Sequence, residues 1–268
     1  MIPRLILIRG AGDLASGVAY RLWQSGFDVV MLELPKPMVV RRTVSFAAAV
    51  YENCIEVESV KAMLCLSPDQ ADQYLKKNII PVLIDPLADS ISKLKPAVLI
   101  DAIMAKRNIA TSINDAELVV GLGPGFTAGQ DVHAAVETQR GHHLGRVFYE
   151  GSASPDTGVP GEVAGYGIER LIRSPVDGIF KPLKEIGELV KAGEIVAYTD
   201  QTKIFSSIDG LIRGMLYPGL TVNAGMKVGD IDPRGAEVDY RSISDKALAI
   251  GGGVLEAIMH HFYYSREN

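Results

Sequence analysis

Short apolar runs without polar alternation punctuate the first 123 positions: Leu5 to Ile8, Phe27 to Leu32, Ile79 to Ile84, Ala97 to Ile100 and Glu117 to Val120. Runs of this length, bounded by turn residues, read as strands buried on both faces, the pattern of a parallel sheet covered by helices. Asn53 to Val57 reads as a further short strand. Between the first two runs, Leu14, Val18, Leu22 and Trp23 recur at helical spacing. Ser67-Pro68-Asp69 starts another helix, with Ser as N-cap and Pro at the first helical position. The pattern therefore predicts an α/β, Rossmann-like parallel sheet over residues 1–123.

The first strand runs into Gly10-Ala11-Gly12-Asp13-Leu14-Ala15, so Gly10, Gly12 and Ala15 fit G-x-G-x-x-G/A between strand and helix. In such a turn the first glycine permits the bend, the second lets backbone approach a pyrophosphate, and Ala15 allows close helix packing. Asp13 opens the helix, whose unpaired N–H groups attract an anion. Glu33 closes the second strand about 20 residues on, where an acidic side chain accepts ribose hydroxyls. It favours NAD or another free-ribose nucleotide over NADP; S-adenosylmethionine satisfies the same pattern. Asp85 and Asp101 end later strands and are secondary candidates, with cap or turn roles as the alternative.

Residues 124–172 form a glycine-rich connector entered through Gly121-Leu122-Gly123-Pro124-Gly125. Successive N–H groups in such a turn make an anion nest, so Gly121, Gly123 and Gly125 join the cofactor-binding candidates. Asp131, His133, Glu137, Arg140 and His142 follow, and are candidates for acid–base or anion-binding work. The alternative is a loop whose polar residues bond to backbone. No His/Cys spacing calls for a metal site.

Over 173–234 the chain repeats itself. Asp177-Gly178 with Val190-Lys191-Ala192-Gly193 is matched thirty-two positions later by Asp209-Gly210 with Val222-Asn223-Ala224-Gly225. Asp-Gly turns between short apolar runs predict β-structure, and two such halves are expected to interlock. The segment resembles the barrel-sandwich hybrid of biotinyl and lipoyl domains. Lys203 lies near the junction, but neither a Met-Lys-Met nor an Asp-Lys-Ala context is present, so no covalent biotin or lipoate is expected. Residues 235–268 read as a C-terminal helix docking back on the body. It is interrupted by Gly251-Gly252-Gly253, each costing about 1 kcal/mol against Ala in a helix. His260 and His261 read as surface residues.

Charge and composition narrow the function classes. A formal net charge of -5 supplies no basic field for nucleic acid or anionic lipid. No apolar run approaches the ~20 residues of a membrane span, and the N-terminus lacks a signal-peptide pattern. Two cysteines, Cys54 and Cys65, make no disulfide framework. A cytoplasmic protein, and a homo-oligomer, is expected.

Gly10-Ala-Gly-Asp-Leu-Ala-Ser-Gly17, Gly121-Leu-Gly-Pro-Gly-Phe126, Asp131-Val-His133, Glu137-Thr138, Arg140-Gly-His142, Leu144-Gly145, Gly229-Asp-Ile-Asp-Pro-Arg234 and Ala249-Ile-Gly-Gly-Gly-Val-Leu-Glu256 together resemble the YqeB-type family of selenium-dependent molybdenum hydroxylase system proteins. The opening unit is also similar, more distantly, to XdhC. The resemblance implies an accessory role in maturing a molybdenum hydroxylase, with that enzyme or its cofactor-loading machinery as partner and the molybdenum cofactor as ligand. An NAD-dependent oxidoreductase, with His133 or His142 as proton donor, and a non-catalytic scaffold are the alternatives.

Overall fold

A computed structural model describes residues 4–158 and 161–264. The chain forms two compact units: Met1–Pro37, Ser45–Asp156 and Ile243–Asn268 make the first, and Met38–Val44 with Thr157–Ser242 make the second.

The first unit is built on a nine-stranded sheet. Its elements, in chain order, are β1 (Leu5–Arg9), α1 (Asp13–Gln24), β2 (Asp28–Glu33), α2 (Ala49–Glu52), β3 (Cys54–Val57), β4 (Val60–Cys65), α3 (Pro68–Leu75), β5 (Ile80–Ile84), α4 (Ile91–Leu94), β6 (Val98–Asp101), β7 (Leu118–Leu122), β8 (Thr127–Ala128), β9 (Ala134–Val136), β10 (Val147–Phe148) and β11 (Gly151–Ser152). The last is α5 (Asp245–Tyr264). The large sheet runs β10-β9-β7-β6-β1-β2-β5-β4-β3, and β8 and β11 pair separately. Ile6, Leu7 and Ile8 of β1 are fully buried, as are Val29, Val30 and Met31 of β2. Such unbroken apolar strands are stable only in the middle of a sheet covered on both faces.

The expected Rossmann-like parallel sheet is corrected by this arrangement. The sheet is mixed, because β3 pairs antiparallel with β4 at one edge and β10 pairs antiparallel with β9 at the other. Strand and helix do not alternate either: no helix forms between β6 and β7, or between β7 and β9. Cover comes instead from the far end of the chain. Gly17 of α1 lies against Ala247 of α5, and Gly251 of α5 against Arg21 and Val18 of α1. The pairing advances in the same sense along both helices, so they run parallel with their N-termini together.

The three glycines of α5 now have separate explanations. A Cβ on Gly251 would meet the Gly17 carbonyl at 3.0 Å, and one on Gly253 would meet the Gly145 carbonyl at 2.2 Å. Gly252 faces open space. Two of the three buy close backbone approach, offsetting their cost in a helix.

The second unit comprises β12 (Leu171–Arg173), β13 (Gly178–Pro182), β14 (Leu189–Val190), β15 (Ile195–Thr199), β16 (Thr202–Phe205), β17 (Gly210–Met215), β18 (Thr221–Val222) and β19 (Lys227–Asp232). The expected biotinyl- or lipoyl-like barrel-sandwich gives way to two four-stranded antiparallel sheets, β12-β19-β17-β14 and β16-β15-β13-β18. The repeats exchange strands: β14 of the first half joins β17 of the second, and β18 of the second joins β13 of the first. Both Asp-Gly turns are tied across the repeat, Asp177 accepting the Ala224 N–H and Asp209 the Ala192 N–H. Lys203 is an exposed residue of β16 opposite Tyr198.

Candidate functional site

The carboxyl ends of β1, β2, β6, β7 and β9 share one edge of the first unit's sheet, because these strands are mutually parallel. Gly10 leaves β1 at φ +96°, and a Cβ there would strike the Ala102 carbonyl at 2.9 Å. Only glycine serves at this bend. Gly12 is the N-cap of α1, and no side chain caps the helix. Its first-turn N–H groups therefore face the edge without a side-chain acceptor. Asp13 opens the helix and Ala15 is buried beneath it.

Glu33 folds onto the same loop. Its two oxygens accept the Ala11 N–H at 2.8 Å and the Leu34 N–H at 2.7 Å. Burial pushes its carboxyl above the usual range despite those two bonds. Glu33 thus closes the glycine turn from within.

Helix α5 brings a second N-terminus to this edge. Ser244 caps it, accepting the Ala247 N–H at 3.2 Å. Arg140 grips its first residue with two bonds to Asp245, at 2.8 and 2.6 Å. Half-buried Lys246 stands in the first turn of α5. Burial pulls its ammonium pKa down, opposed by Asp13, reinforced by Arg140 and opposed again by Glu137 and Asp245. Glu137, 1% exposed, follows β9. Burial raises its pKa, but hydrogen bonds from the Gln139 N–H, from Ser154 and from the Thr138 N–H outweigh that and hold it below the usual range.

The predicted residues are therefore divided. Gly10, Gly12, Asp13, Glu33, Glu137 and Arg140 sit at or beside the carboxyl edge. The second glycine run also ends there, but its glycines serve packing. A Cβ on Gly121 would enter the Phe126 ring at 2.4 Å, on Gly123 the Thr138 hydroxyl at 2.5 Å, and on Gly125 the Arg107 backbone at 2.5 Å. The Gly123 N–H is engaged by the Val136 carbonyl at 2.8 Å. Asp131 accepts the Thr127 N–H within its own turn. His133 precedes β9 at the opposite, amino edge, where its Nδ1 accepts the Val119 N–H at 2.9 Å and its ring lies 5.7 Å from His261. Burial and then His261 lower its pKa. His142 is exposed, edge-on to His143. Asp85 caps the turn into α4 through the Asp89 and Ser90 N–H groups.

Two residues that carry much of this edge drew no attention in the sequence. Arg9 is 6% exposed and pairs with Asp101, 2% exposed, at 3.5 Å. Thr111 bonds to both, and the Arg9 guanidinium also donates to the Ile109 carbonyl. This group ties the helix-free loop after β6 to the ends of β1 and β6. Lys246 was missed because it lies in the apolar pattern of α5, over 230 positions from the glycines it faces. Beyond β2, β4 and β5 the same edge exposes Leu34, Leu66, Ile84 and Leu87, at 47, 80, 44 and 77%. Among the described residues, no group of three or more His, Cys, Asp or Glu side chains is placed to hold a metal ion. None of their helices is long and apolar enough to cross a membrane.

No protein-family model matches the sequence. Over 256 residues, 96% of this chain, it is 49% identical to the uncharacterized protein YqeB of Escherichia coli K12. The chain belongs to the YqeB family. It spans 47% of that relative, about half its length. Solved structures give only faint likenesses. An aspartoacylase family protein from Mesorhizobium loti is 12% identical with a TM-score of 0.27, covering 86% of this YqeB-family chain and 85% of that one. A succinylglutamate desuccinylase/aspartoacylase from Rhodobacter sphaeroides is 15% identical with a TM-score of 0.25, covering 85% of each. Likenesses this faint carry no argument.

Proposed function

We propose that this YqeB-family chain is an accessory factor in the maturation of a molybdenum hydroxylase, of the selenium-dependent kind that the family resemblance implies. In this reading it holds a phosphate-bearing ligand, a nucleotide or the nucleotide-bearing molybdenum cofactor, at the carboxyl edge of its nine-stranded sheet. The observation that carries the reading is the side-by-side packing of α1, whose N-terminus has no side-chain cap, with α5, whose first turn holds Lys246 within electrostatic reach of Asp13. Backbone N–H groups and a cation together suit a phosphate, and both N-termini add partial positive charge.

Lys246 supplies the cationic contact, and Arg140, held by Asp245, keeps the start of α5 in place. Glu33 is already bonded to the loop through the Ala11 N–H and fixes the shape of the turn. The exposed Leu34, Leu66, Ile84 and Leu87 offer an apolar flank to a flat ring or to the client enzyme. Its two buried glutamates, Glu33 and Glu137, are both engaged by backbone N–H groups, and in this reading the site carries a cargo rather than transforming it.

Calorimetric titration tests this directly, using molybdopterin dinucleotide, CTP, ATP, NAD and S-adenosylmethionine. At least one should bind, and Lys246→Met should weaken it roughly 10-fold or more, the scale of one charge-assisted hydrogen bond. Gly12→Val should abolish binding while leaving the fold intact. No heat from any of the five, or affinity unchanged in both variants, rules the site out.

A further inference from the structure

A second charged cluster lies in the other unit. Asp230 of β19 is 4% exposed, yet its Oδ1 has no hydrogen-bond partner. Three cations pair with it, Lys227 at 3.3 Å from Oδ1 and Arg170 and Arg213 at 3.7 and 4.0 Å from Oδ2. Arg170 is itself 7% exposed, and its Nε and Nη1 have no hydrogen-bond partner; the Nε of Arg213 is likewise buried and unpaired. Only Arg170 Nη2 is satisfied, by the Gly161 carbonyl at 3.1 Å. The neighbouring carboxylate, Asp232, is fully engaged by Arg234 at 2.9 and 2.8 Å.

Charge and geometry are both unbalanced here. Three cations face one carboxylate, leaving an excess of two positive charges in a largely buried setting. Buried charge that is not closely hydrogen-bonded is strongly unfavourable, and buried polar atoms are paired in nearly all native proteins. Arg213 reaches the cluster from an irregularity in the β17–β19 pairing, between Ile212 and Gly214. Such bulges re-aim a side chain. The cluster is open on one side, since the Lys227 and Arg213 side chains are 40 and 18% exposed against 8% for Arg170.

We propose that Arg170, Arg213 and Lys227 form an anion site for a tetrahedral dianion, a phosphate group either free or as a phosphomonoester. A dianion matches the excess charge, and guanidinium groups bind such oxygens through paired N–H donors. Asp230 orients the three cations and holds them apart while the site is empty.

The test is thermal melting of the full chain in Lys246→Met background, which removes the first unit's cation, with phosphate titrated against chloride at matched ionic strength. Phosphate should raise Tm progressively, as expected for a ligand bound only by the folded state. Arg213→Gln and Lys227→Met should each remove most of that rise. In chloride alone these two variants should melt no lower than the parent, since each deletes an uncompensated charge. A phosphomonoester such as glycerol phosphate is the second arm: a rise equal to or above that of phosphate marks an ester site, and a rise with phosphate alone marks a free-ion site. Absence of any rise specific to phosphate or its ester, an undiminished rise in both variants, or marked destabilisation of both in chloride overturns the proposal. The last result would mean that the cluster is a water-bridged structural network. None of these outcomes bears on ligand binding at the sheet edge.

Discussion

Two glutamates at the sheet edge show how position decides the behaviour of one side chain. Glu33 and Glu137 are both burdened by burial and both accept backbone N–H groups. Two bonds leave Glu33 raised, whereas the larger set around Glu137 leaves it lowered. A carboxylate whose folded pKa lies below its unfolded value adds stability above the unfolded value, 4.5 here, and loses it as pH falls through the folded one. Glu137→Gln should therefore lower stability at pH 7 and flatten the acid limb of a stability–pH curve below about pH 4.5. A variant curve parallel to the parent's between pH 6 and 3 would contradict that assignment. Glu33 has the opposite sign: its raised pKa favours the protonated form, so its contribution is greatest at low pH and fades as pH rises through the folded value. The Arg9–Asp101 pair is a third case. Asp101→Ala leaves a buried guanidinium without its counter-charge and should cost about 3–5 kcal/mol by chemical denaturation.

At the scale of elements, the parallel packing of α1 and α5 depends on small residues at the crossing. Gly17→Val would drive a side chain into Ala247, where even a Cβ comes within 2.5 Å, and should cost about 1–3 kcal/mol. The glycine triplet supplies a sharper comparison. Gly252→Ala should stabilise by about 0.5–1 kcal/mol, because the position is open and helical. Gly253→Ala should destabilise, because its Cβ meets the Gly145 carbonyl. Thermal melts of the two single variants decide the matter, and shifts of the same sign would disprove the packing described. The helical spacing of α5 was legible in the sequence. Which of its glycines were packed and which exposed was not, because Gly145 and Gly17 are brought there only by folding.

For the molecule as a whole, the sequence determined which stretches are buried, where the glycine turns fall and that the later segment is a β repeat. Those properties rest on local periodicity and on backbone conformations that few residues adopt, so they can be read without knowing any neighbour. Only the tertiary structure decided that the sheet is mixed, since strand direction depends on how each connection returns and not on the strand's own composition. It likewise decided that repeat halves exchange strands, and that a C-terminal helix rather than local crossovers covers the sheet at β7, β9 and β10. His133 and Glu137, four positions apart in the chain, are sent towards opposite edges because an intervening strand separates them. Lys246 and Asp13, remote in sequence, come within electrostatic reach because two helices that begin at the same edge pack side by side.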